Sequence, residues 1–261
     1  MIIFVLLEIA LGASTLGAIC GIGGGVIIKP LLDSFHIASV STISFLSGLT
    51  VLSMSAYSII KAFISKENLV NLKTGTPLAL GAAIGGIAGK QLFNLLKVMS
   101  ANPDKVGAYQ AISLGIATAG TLLYTLKKSS IKTHEMRNPL ICVLIGLALG
   151  MMSSFMGIGG GPFNLVVLSF FFSMSTKVAA QNSLYIILIS QLSSLLTTLL
   201  TNSVPEFNFL WLIVMVAGGI SGGILGRKLN KKLSEDAVNK LFTLFLFIII
   251  GISIYNTFQF L

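Results

Sequence analysis

The chain has 261 residues, of which 54% are hydrophobic and 10% charged, with a net charge of +9 and a mean hydropathy of +0.94. A soluble domain carries about 25% charged residues, so 17 basic and 8 acidic side chains cannot cover a water-soluble fold of this size. Disorder, a coiled coil and a secreted disulfide scaffold are excluded by the same composition, which leaves a polytopic membrane protein built of helices.

The first apolar run covers residues 2–20. It lacks a basic n-region and runs straight into a glycine motif, so it reads as a retained span and not as a cleaved signal. Seven more long runs follow at 42–64, 75–98, 106–126, 138–156, 178–201, 208–229 and 238–260. Each is near the about 20 residues that a transmembrane helix needs. Two shorter apolar pieces stand between them at 24–37 and 160–174. None of the runs alternates apolar with polar, as strands of a membrane barrel do. Polar punctuation at 65–68, 100–105, 127–138 and 230–236 separates the spans. Cys20 and Cys142 lie inside apolar runs and give no sign of a disulfide.

An internal repeat organises the chain. Gly21-Ile22-Gly23-Gly24-Gly25 recurs as Gly157-Ile158-Gly159-Gly160-Gly161, and Ser47 recurs as Ser183, at an offset of 136. Asn71 matches Asn208, and the run Gly85–Leu92 matches Gly222–Leu229, at an offset of 137. The reading is therefore an all-α polytopic membrane protein with two repeats, 1–130 and 131–261, forming one integral membrane domain. Each repeat holds four long helices and one short, glycine-led broken or re-entrant helix. Four crossings per half make the repeats parallel and divide the basic residues 7 to 10 between the two sides. Five crossings make them inverted and divide the same residues 13 to 4, with Lys29, Lys90, Lys97 and Lys105 as the minority. The positive-inside rule favours the inverted arrangement, with the 127–137 and 227–240 loops cytoplasmic.

Three consecutive glycines propagate a helix poorly. Inside a membrane they free backbone N–H groups at the start of the next short helix, where the helix dipole also favours an anion. Paired broken helices near the bilayer midplane are a common way to build a transporter site. Close helix packing through small residues is the competing reading.

The twice-repeated glycine motif, with Lys29-Pro30-Leu31-Leu32 after its first copy, looks like the signature of the sulfite exporter TauE/SafE family. The resemblance extends to the serine-bearing helix after each motif (Ser47, Ser183) and to the glycine-rich helices around 81–89 and 218–226. It spans nearly the whole chain and implies movement of sulfite, organosulfonates or related small anions. The second copy departs from the first, since Pro162 follows its glycines directly and no proline matches Pro30.

Candidate substrate-binding residues are Gly23, Gly24, Gly25, Ser47, Gly159, Gly160, Gly161, Asn182 and Ser183. Uncharged donors suit an oxyanion that must also leave. Glu8 and Lys29 are candidates for coupling or charge, because ionisable groups within membrane spans tend to be functional. Against that, Glu8 fits an interface position and Lys29 is expected to snorkel to the surface. Asp33 and His36 are expected in an exposed loop. No His/Cys/Asp/Glu set has metal-ligand spacing, no catalytic constellation stands out, and no cofactor is called for.

The sequence thus predicts a secondary transporter of small anions working by alternating access, in the multi-pass inner membrane of a prokaryotic cell. Its partners are a small anionic substrate and the lipid bilayer, with no nucleic acid; a homo-oligomer stays open. An anion channel and a packing-only scaffold or intramembrane enzyme are the alternatives.

Overall fold

The computed structural model describes residues 2–67, 69–100 and 105–261. The described residues form ten α-helices and no strand: α1 (Ile2–Cys20), α2 (Gly25–Ser34), α3 (Val40–Ile64), α4 (Leu72–Met99), α5 (Lys105–Lys127), α6 (Pro139–Met156), α7 (Phe163–Phe172), α8 (Thr176–Leu200), α9 (Phe209–Lys232) and α10 (Glu235–Phe260). Eight of them are long and apolar enough to cross a bilayer. Large apolar side chains such as Ile116, Leu123, Phe247 and Phe258 stay exposed on the outside. In water such a surface is a liability, whereas in lipid it is the required one. The protein is an integral, multi-pass membrane protein.

Helix starts follow local chemistry. Ser39, Asn71, Asn138, Asn208 and Ser234 each accept a hydrogen bond from a first-turn N–H of α3, α4, α6, α9 and α10. The Asn71–Asn208 match is thereby explained: both cap the N-terminus of the same helix of their half. The short helices are tighter than the sequence suggests, at 25–34 and 163–172 rather than 24–37 and 160–174. Asp33 lies inside α2, not in an exposed loop, because the helix continues through Ser34.

Packing interlocks the halves. A Cβ added to Gly81, Gly85 or Gly89 of α4 would lie 2.1, 2.0 or 2.3 Å from the carbonyl oxygen of Val143, Leu147 or Met151 of α6. These contacts advance together, so the two helices run parallel, backbone against backbone. On the other side Gly222 and Gly226 of α9 stand against the carbonyls of Leu11 and Thr15 of α1, again parallel. Gly219 and Gly223 meet Thr50 and Met54, which makes α3 parallel to α9 and hence to α1. Gly75 and Gly86 meet Asn182 and Ser190, which aligns α8 with α4 and α6. Between these two sets the sense reverses. Gly48 of α3 faces Gln191 of α8, while Val51 and Ile187 meet at Gly23. Because α1 and α3 are parallel, residues 21–39 carry the chain back to the side on which α1 begins. The stretch between α6 and α8 does the same.

Candidate functional site

Two glycine turns meet in the middle of the bundle. α1 ends at Cys20, and Gly21 and Gly23 take φ values of +74° and +73°. α6 ends at Met156, and Gly157 and Gly159 take +67° and +72°. Left-handed backbone at those places is open to glycine at little steric cost. The turns pack on one another: a Cβ on Gly25 would lie 1.9 Å from the Ile158 carbonyl oxygen, and one on Gly160 would lie 3.2 Å from that of Ile22. Val51 and Ile187, each the twelfth residue of a 25-residue helix, press against them, which sets the turns at mid-height. The capping positions Gly24 and Pro162 give no side-chain acceptor to α2 and α7. The structure therefore brings Gly23–Gly25 and Gly159–Gly161 together.

The remaining sequence candidates fall in three environments. Ser47 and Ser183 are fully buried. Ser47 Oγ has no hydrogen-bond partner in the protein, and Ser183 Oγ accepts from Asn164 Nδ2 at 3.3 Å. Asn182 is occupied by backbone: its Nδ2 donates to Leu69 O and Val178 O, and its Oδ1 accepts from Asn71 N–H. Glu8 lies on the exposed face of α1, away from the turns. Lys29 does not snorkel. It is 2% exposed and forms an ion pair with Asp33, itself 4% exposed. The two sit four apart on one face of α2, and that face turns into the bundle and not toward lipid.

Beside the second turn is a small cleft of about 40 Å³ whose polar lining includes Ser44, Lys90, Gln110, Ser154, Gln191 and Thr198. Ser44 Oγ, Ser154 Oγ and Gln110 Oε1 are buried and have no partner in the protein. Lys90 Nζ lies 5.4 Å from the centroid of the Phe93 ring. Gly157 joins the cleft to the turn. Sequence reasoning missed Lys90, Gln110 and Gln191. Lys90 could have been found as the basic residue inside the repeated Gly85–Leu92 run, and the glutamines as lone amides in apolar helices.

The corresponding place in the other half is closed. Gly21 packs against Ala180, its added Cβ falling 2.2 Å from the Ala180 Cα. Arg227 donates to the Ser58 carbonyl at 2.8 Å and to Glu67 at 2.8 Å, and Lys231 pairs with the same carboxylate. Asn230 Nδ2 donates to Ile19 O at 2.6 Å. Hydrogen bonds from Lys231 and then Arg227 hold the Glu67 carboxyl below its ordinary range. Among the described residues, no group of three or more His, Cys, Asp or Glu could hold a metal ion. Cys20 and Cys142 are free and buried.

Eight long apolar helices, two broken helices meeting at mid-height and a polar cleft beside them define a polytopic membrane protein of the transporter class. The family model "Sulfite exporter TauE/SafE" matches residues 6–254. The chain belongs to that family of membrane transporters. It is also similar to the "Probable membrane transporter protein YunE" of Bacillus subtilis (strain 168), with 23% identity over 234 residues that cover 82% of this chain and 83% of the relative. No solved structure is significantly similar to it.

Proposed function

We propose that this transporter is a secondary permease for small anions, sulfite and organosulfonates foremost, working by alternating access. The carrying observation is the cleft: a lysine, unpartnered hydroxyls and amide groups converge beside a glycine turn at mid-height. Lys90 supplies the positive charge, and Ser44, Ser154 and Gln191 supply hydrogen bonds. Gly23–Gly25, Gly159–Gly161, Ser47 and Ser183 stand behind the cleft, in the two turns and the helices packed on them. A single lysine among neutral donors attracts an oxyanion without caging it.

The two halves, 1–130 and 131–261, act as inverted repeats. Parallel packing of α1 with α9 and of α4 with α6, together with the antiparallel α3–α8 pair, supports that arrangement. Under inversion the cleft and the Arg227–Glu67–Lys231 cluster are the same place in opposite states, one open and one shut. Exchange of those states moves the anion across. Export of an anion from a negative-inside cell gains about 2.3 kcal/mol per charge per 100 mV, whereas uptake needs coupling.

The test is a thermal shift of the purified protein against sulfite, thiosulfate, sulfate, ethanesulfonate, phosphate and chloride, since a ligand of the folded state raises its stability by mass action. A shift with a sulfur oxyanion that is lost in Lys90→Met supports the reading. No shift with any anion, in folded protein, overturns it.

A further inference from the structure

Resting on the anion-transport reading, we propose that Lys29 and Asp33 form a proton-coupling site: Asp33 takes up one proton with each anion, and Lys29, released from the ion pair, faces the anion at Gly157.

The fold does not need this pair. At the offset of 136 that relates the two broken helices, α7 carries Leu165 and Ser169 where α2 carries Lys29 and Asp33. Both α7 residues are buried and hold the equivalent place without charge. Removing two charges from water is expensive, and an apolar replacement is often as stable or more so. A buried pair kept in one repeat alone is better explained by use than by packing.

Beyond Lys29, the surroundings of Asp33 are rich in acceptors. A water-sized chamber is lined by Lys29, Asp33, Gln110, Ser253 and Asn256. Gln110 spends its amide nitrogen on the Phe155 carbonyl at 2.6 Å, and Asn256 spends its own on the Pro30 carbonyl at 2.8 Å. Both amide oxygens are left unpartnered, as are Asp33 Oδ1 and Ser253 Oγ. Three of these four oxygens can only accept, and the Ser253 hydroxyl supplies a single donor among them. A protonated Asp33 supplies one, and a water molecule that brings the proton supplies two.

The chamber adjoins the cleft. Gln110 lines both. Lys29 Cε lies 3.1 Å from where a Cβ of Gly157 would sit, and Gly157 lines the cleft. The lysine therefore stands between its carboxylate and the proposed anion position.

Charge balance favours joint binding. With the site empty, Lys29 ammonium and Asp33 carboxylate sum to zero. With proton and anion both bound, Lys29 ammonium, neutral Asp33 and a monoanion again sum to zero. With Lys90 a constant neighbour in every state, anion alone or proton alone changes the net charge of this buried region by one, whereas the two together leave it unchanged. The proton comes from water in the cleft, forms one O–H bond on Asp33, and leaves to water on the far side; Lys29 keeps its own proton. Among the described residues, Lys29 and His36, both from its own segment, are the charged or titratable groups that act on Asp33. α5, α6 and α10 face it with Gln110, Met156, Ser253 and Asn256. α1 meets α2 through Ser14 and Gly17, and α3 through Val51, with Ser44 on the Gly157 side.

The test uses full-length protein in proteoliposomes and ethanesulfonate, an anion that takes up no proton near neutral pH. Methanesulfonate and propanesulfonate, also monoanions, serve if ethanesulfonate is not carried. Wild type accumulates the monoanion about tenfold per unit of imposed pH difference and carries protons with it, read by a trapped pH dye. Asp33→Asn, which mimics the protonated acid, retains exchange of labelled anion but loses accumulation and proton movement. Lys29→Met loses exchange. Accumulation that persists in Asp33→Asn overturns the proposal, as does loss of exchange in a folded Asp33→Asn protein or proton-free transport by wild type. Failure of wild type to carry any of the three anions sinks the transport reading instead. The coupling site is then decided by infrared titration: a protonated-carboxyl C=O band that grows in on acidification and is missing from Asp33→Asn supports it, and absence of the band in wild type overturns it.

Discussion

Lys90 and Arg227 occupy matching places in the two glycine-rich helices, yet Lys90 stands in an open cleft while Arg227 is tied to Glu67 and the Ser58 carbonyl. The same position thus serves a vestibule on one side and a closure on the other. Hydrogen bonds from charged groups are worth about 1.5–3 kcal/mol. Lys90→Met is therefore expected to weaken sulfur-oxyanion binding by about 10- to 100-fold, measured as the anion concentration needed for half the thermal shift. An unchanged concentration dependence would remove Lys90 from the site.

Glu67 holds Arg227 and Lys231 together at the closed side. Its carboxyl is held below the ordinary value of 4.5 by Lys231 and Arg227. A carboxylate with a lowered folded-state pKa contributes stability that is full above the ordinary value and is lost as pH falls through the lowered one. In a Cys20→Ala, Cys142→Ala background, Ser58→Cys is expected to resist a membrane-impermeant thiol reagent at neutral pH. Glu67→Gln makes it react at neutral pH, and acidification below the ordinary glutamate range lowers the unfolding midpoint of wild type more than that of Glu67→Gln. Equal labelling with and without Glu67 would show that the cluster closes nothing.

Glycines that touch backbone differ from glycines that touch nothing. A Cβ on Gly85 meets the Leu147 carbonyl at 2.0 Å, whereas one on Gly12 has no neighbour within 4 Å. Overpacking costs about 1–3 kcal/mol, and rigid backbone on both sides places Gly85→Ala at or above the upper end. Gly12→Ala is expected to be neutral or to gain up to about 1 kcal/mol from helix propensity. Thermal unfolding in one detergent compares them directly, and equal midpoints would contradict the packing described.

Asn182 binds the backbone at Leu69, Asn71 and Val178 through both ends of its amide. Truncation strands partners that are partly buried, at about 1–3 kcal/mol. Asn182→Ala is expected to lower the unfolding midpoint by the same amount with and without anion. A drop seen only in the presence of anion would return Asn182 to the binding site.

The long helices were legible because apolar runs of membrane length need no long-range information, and the glycine repeats marked both turns. Asn71 and Asn208 were visible as a repeat, although their capping role was not. Lys29 and Asp33 sit at i, i+4, which is a helix-face spacing. That signal was overridden by placing Asp33 and His36 in a loop and by the tendency of lysine to snorkel. What turned α2 inward could not be read locally, because Gln110 and Asn256 arrive from helices far along the chain. The cleft escaped for the same reason: Ser44, Lys90, Gln110 and Gln191 come from four different helices. A glycine ridge announces close packing but does not name its partner, and here both partners lie in the opposite half.

The interlocked ridges also govern how the protein is made. α4 finds its backbone partner only after α6 has been synthesised, and the glycine ridge that meets α1 arrives only with α9. Until then small-residue faces lie bare in lipid, where helices associate through such faces. A ribosome that stalls after α8 releases a chain whose first helix has no seat, a ready substrate for membrane surveillance proteases. Separately expressed halves are expected to survive only when both are inserted into the same bilayer, each completing the other.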